Sequence, residues 1–181
     1  MFKNNMHKRL INVVISLEKF QAYCKQKKKN KTKNKGRIGL TCSTFDLFHA
    51  GHVKMLEDAK KQCDYLIVAL QVDPTLDRPE KNKPVQNVVE RYIQVSACVH
   101  VDEVVPYVSE QDLEDIFASF DLDVRIIGVE YANKPFTAKK ICEIRNIDIH
   151  YNKRDHRFSS SGLRQHTYNV EKLKNNEDIF H

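Results

Sequence analysis

Two imidazoles three residues apart, His49 and His52, close the stretch GLTCSTFDLFHAGH, Gly39 to His52. They flank Ala50 and Gly51 and follow an apolar, strand-like run, so they fall where a strand would hand over to a helix. Three chemistries suit such a pair. The rings could cap the helix or pack in the core. They could share a metal, as histidines at i and i+3 can, but no cysteine lies close enough in sequence to complete that site. They could bind phosphate. A helix N-terminus presents unpaired N–H groups and a partial positive charge, imidazole donors extend that cradle, and a glycine without a Cβ lets backbone or ligand approach closely.

The elements around the pair are readable from periodicity. RIGLTCS and DYLIVALQV have the near-continuous apolar character of buried parallel strands, and HVKMLEDAKKQC between them has helical spacing. DPTLDRPEKNKPVQN, with three prolines, reads as a loop. VVERYIQVSAC predicts a helix, and VDEVVPY a short strand stopped by Pro106. SEQDLEDIFASF opens with Ser109 and carries Asp112 three residues later, an acidic variant of the capping box. VRIIGV and IDIHYN are strands on either side of a helix in TAKKICEIRN, and SSSGLRQHTYNVEKLK is a final helix with serines at its start. Strand and helix alternate about five times. That predicts an α/β fold, a Rossmann-like, doubly wound, parallel five-stranded sheet, with ligands beyond the C-terminal ends of its strands. The loop Thr44 to His49, after the first strand, is where such a sheet places its site.

Charge divides the chain. Met1 to Arg37 holds 12 Lys and Arg against one acidic residue, a charge of +11, while Ile38 to His181 holds 18 against 23, a charge of −5, so the net of +6 is positive only because of the extension. The expected organisation is a basic extension over 1–36, partly helical and then disordered, a domain over 37–166, and a C-terminal helix or tail over 167–181. KQKKKNKTKNKGR cannot build a core. The extension reads first as a solvated tail, with weak contact to an anionic membrane or nucleic acid as the alternative and targeting as a third. The apolar run LINVVISL is interrupted by Asn12 and Ser16. No run approaches the roughly 18 apolar residues that span a bilayer, so no transmembrane segment is expected. Five scattered cysteines without a C-x-x-C pair argue against a disulfide framework and for a reducing, cytoplasmic setting.

STFDLFHAGH resembles the signature (G/S)-x-F-D-x-x-H-x-G-H of the cytidylyltransferase family of nucleotidyltransferases, matching at Ser43, Phe45, Asp46, His49, Gly51 and His52. The resemblance continues from Ile38 to about Arg164 and is nearest to glycerol-3-phosphate cytidylyltransferases. HVKMLEDAKKQCDYLIVAL looks like their next helix and strand, and VERYIQVSACVHVDEVVP like their segment ending V-D-E-V, with Arg91 as its arginine. RDHRFSSSGLR resembles their second signature, R-T-E-G-I-S-T-T, led here by Arg154 with Ser159, Ser160 and Ser161 in the hydroxyl positions. At the first signature position Ser43 stands where glycine is the other form, as in some relatives, and three further positions depart from the pattern: Val99 stands for an arginine, Glu130 for an aspartate and Tyr131 for a tryptophan.

The resemblance implies that an acceptor phosphate attacks the α-phosphorus of CTP, pyrophosphate leaves, and Mg²⁺ accompanies the triphosphate. An acceptor phosphate ionised near pH 7 needs no general base, so the work is alignment and charge neutralisation. His49, His52, Lys81 and Arg154 are the expected catalytic residues. Ser43, Thr44, Phe45, Gly51, Arg91, Gly128, Glu130 and Ser159 to Ser161 are expected around the nucleotide, and Lys83 and Asp46 near the substrate. Asp46 either positions Mg²⁺ or holds the loop. Expected partners are CTP, a phosphorylated alcohol, with glycerol 3-phosphate leading, and a second copy in a homodimer. An adenylyltransferase acting on a sugar phosphate or flavin precursor, a phosphoethanolamine or phosphocholine enzyme, and a non-enzymatic nucleotide-binding module are the alternatives.

Overall fold

A computed structural model describes residues 36–153 and 158–177. The compact unit that contains the fold begins at Arg37. Five strands, β1 (Ile38–Ser43), β2 (Tyr65–Gln71), β3 (Glu103–Tyr107), β4 (Val124–Gly128) and β5 (Asp148–Asn152), form one sheet in the order β3-β2-β1-β4-β5. Every neighbouring pair is parallel, as in Cys42 beside Ala69 and Leu40 beside Arg125. The chain winds outward from β1 to β3, returns to β4 beside β1, and ends at β5. The switch point therefore lies between β1 and β4, where doubly wound sheets bind their ligands.

The helices are α1 (Ala50–Lys60), α2 (Val88–Ser96), α3 (Glu110–Ser119), α4 (Lys139–Ile144) and α5 (Ser160–Glu177). Right-handed crossovers put α1 and α2 on one face and α3 and α4 on the other. Side-chain alternation along the strands agrees. Leu66, Val68 and Leu70 of β2 join Val124 and Ile126 of β4 in a core with Leu56 and Ala59 of α1 and Val95 of α2. The intervening residue Arg125 lies under Phe117 of α3. Gly39 is required by close packing, because a Cβ there would sit 2.7 Å from Cys63 Sγ and 2.9 Å from Ile126 Cδ1.

Local capping fixes the helix starts. Asn87 accepts from Val89 and Glu90 N–H while Glu90 reaches back to Asn87 N–H at 2.7 Å. Ser109 and Asp112 make the acidic capping box that their spacing predicts. The structure departs from the sequence reading in two places. Helix α1 starts at Ala50, before His52. Pro106 lies inside β3 and does not stop it, because β3 is an edge strand whose missing N–H costs no ladder bond. The final helix that the serine-led stretch predicts is present as α5, from Ser160 to Glu177. No helix among the described residues is long and apolar enough to cross a membrane.

Candidate active site

The loop Thr44 to His49 leaves the central strand at the switch point and is bent tightly enough to put Phe45 and Leu47 in the left-handed region, with φ of 51° and 50°. Two non-glycine residues in that conformation are strained and must be held by their surroundings. The Phe45 ring is buried in the α1-side core. The buried Asp46 carboxylate between them accepts from Val85 N–H at 3.1 Å and Gln86 N–H at 2.9 Å, and pairs with the Arg164 guanidinium of α5. Leu47 N–H donates to Gln86 Oε1 at 2.9 Å. Burial works against the Asp46 charge, but the two backbone donors and Arg164 outweigh it and hold the carboxyl below its ordinary range.

Arg91 completes the scaffold. It is 1% exposed, and its guanidinium donates to the carbonyls of Thr44 and Gln71 at 2.7 Å, Val72 at 2.5 Å and Gln86 at 3.1 Å. Arg91, expected around the nucleotide, thus has four of its donors engaged by backbone carbonyls. Its donors are spent on stitching the ends of β1 and β2 to the lysine-bearing loop. Asp46 likewise acts as a loop anchor, with three donors on a buried carboxylate. Among the described residues no group of three or more His, Cys, Asp or Glu could hold a metal ion.

His49 is the N-cap of α1. Its Nδ1 accepts from Gly51 N–H at 3.0 Å, and His52 Nδ1 accepts from His49 N–H at 3.4 Å, so each ring reaches back to the other's turn in a capping box built from two histidines. A backbone N–H can only donate, so both Nδ1 atoms must be unprotonated and both rings carry their proton on Nε2. The rings stack with centroids 4.0 Å apart, and Phe48 also stacks on His52 at 5.6 Å. The capping and phosphate-binding readings thus describe the same geometry, in which the cap selects the tautomer that makes Nε2 a donor.

The first turn of α5 meets this motif. Ser160 Oγ donates to Asp46 O at 2.9 Å and accepts from His49 Nε2 at 3.3 Å. Ser159 Oγ caps α5 by accepting Gly162 N–H at 3.0 Å, and Ser161 lies exposed in the same turn. Arg154 falls outside the described residues. Lys81 and Lys83 are exposed on the loop between β2 and α2. Glu130 folds back over Gly128 so closely that a Cβ there would meet its Oε2 at 2.2 Å.

On the other face of the sheet, a cavity of about 410 Å³ opens beside Ser43 and Thr44 and is bounded by Lys81, Tyr107, Glu110 and Arg125. Glu110 accepts from Arg78 at 2.9 Å and Gln71 at 3.3 Å, and from the Thr137 hydroxyl. Burial, then the neighbouring Cys42 and Glu110, push the Tyr107 hydroxyl up, so it remains a neutral donor. Sequence reasoning missed Arg164, Arg125, Arg78 and Glu110. For Arg125 a signal existed: a lone charge inside the apolar strand VRIIG.

A doubly wound sheet with paired imidazoles at a helix N-terminus, flanked by a serine-capped helix and a lysine loop at the switch point, defines a nucleotide-phosphate-binding α/β domain. The model of the cytidylyltransferase-like family matches residues 40–166. The chain is 30% identical over 129 residues to the glycerol-3-phosphate cytidylyltransferase of Staphylococcus aureus, an alignment covering 71% of this chain and 93% of that protein. It is 36% identical over 93 residues to the ethanolamine-phosphate cytidylyltransferase of Arabidopsis thaliana, covering 51% of this chain but 22% of that one. The fold matches a crystal structure of the lipopolysaccharide core biosynthesis protein from Thermoplasma volcanium, with a TM-score of 0.54, 23% identity, and coverage of 68% of this chain and 100% of that chain. The chain belongs to the cytidylyltransferase-like family and is a nucleotidyltransferase.

Proposed function

We propose that the protein transfers CMP from CTP to the phosphate of a small phosphorylated alcohol, with glycerol 3-phosphate as the reference acceptor. An acceptor phosphate oxygen forms a bond to the α-phosphorus. The bond from that phosphorus to the β-bridging oxygen breaks, and its electron pair leaves with pyrophosphate. The observation that carries this reading is the double-histidine cap. It holds both rings as Nε2–H donors at a helix N-terminus, where charge builds as pyrophosphate departs. The lysines on the neighbouring loop can close over the triphosphate, and the adjoining cavity gives a second substrate a place beside Thr44. The similarity to the Staphylococcus aureus enzyme over nearly its whole length supports CTP and a three-carbon acceptor.

Donors dominate this site, so Mg²⁺ enters as part of the substrate, on the triphosphate oxygens, to screen their charge. The four described cysteines are free thiols, in keeping with a reducing, cytoplasmic setting. Val85, Val89, Tyr92, Ile93 and Val99 form an exposed apolar stripe on and around α2, and a second copy of the chain is its proposed cover. Sedimentation would then give twice the chain mass.

Pyrophosphate release tests the central claim, with CTP or ATP offered against a panel of phosphorylated alcohols. CTP is expected to exceed ATP clearly in kcat/KM, and chelation of Mg²⁺ to abolish turnover. A preference for ATP under matched conditions would assign the protein to adenylyl transfer, and release with no acceptor in the panel would remove the reading.

A further inference from the structure

Arg125 is 2% exposed on β4 and stands on the cavity wall with no ion-pair partner among the described residues. Its guanidinium packs against the rings of Phe117 and Phe136, 4.6 Å from each centroid, contacts that leave its N–H groups in need of an acceptor. Nη1 donates to Thr137 O. Nη2 has a 3.9 Å contact with Cys42 Sγ, and Nε has no hydrogen-bond partner. Among the described residues no carboxylate forms an ion pair with it. Glu110, the acid on the same wall, is already engaged by Arg78, Gln71 and Thr137. Burial pushes the thiols of Cys42 and Cys142 up, so both sulfurs beside the guanidinium are neutral. A buried, uncompensated cation is costly to a fold, and its presence in a cavity points to an anion that completes it.

The cavity also has a direction. Ser43, Thr44 and Lys81 line it where β1 ends, beside the phosphate cradle. Arg125 pairs in register with Leu40, three residues earlier on β1 than Ser43, and its guanidinium reaches only to the level of Cys42. A small acceptor whose phosphate sits at Thr44 therefore turns its other end toward Arg125. We propose that Arg125 determines acceptor specificity by binding a carboxylate at the end of the phosphorylated alcohol remote from the reacting phosphate. This rests on the transfer reaction proposed above and narrows its acceptor to a phosphorylated hydroxy acid. A neutral polyol would leave the guanidinium uncompensated. An ammonium group would face Arg125, Arg78 and Lys81 with only an engaged Glu110 to receive it.

The test compares two acceptors that differ at that end alone, 3-phosphoglycerate with a carboxylate and glycerol 3-phosphate with a hydroxymethyl group. Pyrophosphate release with CTP gives kcat/KM for each. The wild-type protein is expected to favour the acid by at least roughly tenfold, and Arg125→Gln to lower the acid-to-neutral ratio by about 10²-fold, with Arg125→Lys between them, as loss of a forked, charge-assisted contact requires. The wild-type ratio needs no variant, so a poorly folding Arg125→Gln leaves the proposal exposed. Equal use of both acceptors, or preference for glycerol 3-phosphate, overturns the proposal while the transfer reaction stands. If neither acceptor releases pyrophosphate, that reaction itself is in question, and calorimetric titration of the two compounds into wild-type protein decides separately. Tighter binding of 3-phosphoglycerate, lost in Arg125→Gln, supports the subsite, and no difference between the compounds overturns it.

Discussion

The two sides of the Thr44–His49 loop satisfy their polar groups in opposite ways. On the α1 side both histidine Nδ1 atoms, the Asp46 carboxylate and the Arg91 guanidinium are bound to backbone groups of neighbouring loops and strands. On the α3 and α4 side, Arg125 is as deeply buried as Arg91 but has one backbone carbonyl where Arg91 has four. The same residue type is a staple where carbonyls converge on it and a recognition group where they do not. The difference suits a transferase. The half that stabilises charge in the transition state must be set before substrate arrives, and the half that selects an acceptor must keep some binding capacity in reserve.

The largest effect should come from breaking the preset half. His49→Ala and His52→Ala are each expected to lower kcat by roughly 10²-fold or more, because each removes a donor that matters most as the leaving group charges. Circular dichroism should remain native-like. Near-normal turnover in either variant would leave that ring as a cap and nothing more. Next, Arg91→Met should cost about 3–5 kcal/mol of stability, the range for disrupting a buried charge network, because three segments lose their common donor. Urea unfolding measures it. If Arg91 instead bound phosphate, the variant would unfold normally and show a raised KM for CTP.

Much of this architecture was legible in the sequence because it is local. Strand character, the Ser109 capping box and the placement of His49 at a strand-to-helix junction all depend on residues within one turn of each other. The role of Arg91 was not legible, because its partner Thr44 lies 47 residues away and nothing in VVERYIQVS marks the arginine as inward. The same holds for Arg164, 118 residues from Asp46. Pro106 misled for a related reason: whether a proline ends a strand depends on which edge of the sheet it faces, and strand order is a property of the whole fold.

A smaller effect should follow from Asp46→Asn, which keeps the shape of the side chain but removes the charge that holds Arg164. A loss of about 1–3 kcal/mol is expected, since one partner is buried and the other is part-exposed. The pH dependence distinguishes this from a simple packing loss. The folded-state Asp46 carboxyl is held below its ordinary value, so its stabilisation is complete above the unfolded pKa of about 4 and disappears as pH falls through the lower folded value. Melting curves of wild type and variant should therefore converge on acidification from pH 6 toward pH 3. A constant gap would assign the loss to packing alone.

The smallest effect on catalysis should come from the extension. Among the described residues, none that lines either side of the cleft precedes Ile38, so deleting Met1 to Lys35 should leave turnover on small substrates almost unchanged. The deleted segment still carries Lys25, Lys27, Lys28, Lys29, Lys31, Lys33 and Lys35, each worth up to about 1 kcal/mol close to an anionic surface. The remainder of the chain from Ile38 is net negative, so the attraction should belong to the extension. It should also be screened within the roughly 10 Å Debye length of 0.1 M salt. Full-length protein is thus expected to co-sediment weakly with anionic vesicles or nucleic acid at low salt and to release them as salt rises, while the truncated protein stays in solution at both. Equal binding by the two would transfer the interaction to the folded domain. A large fall in turnover on truncation would instead mean that the extension acts on the cleft, and the preset half would then owe part of its order to residues before the first strand.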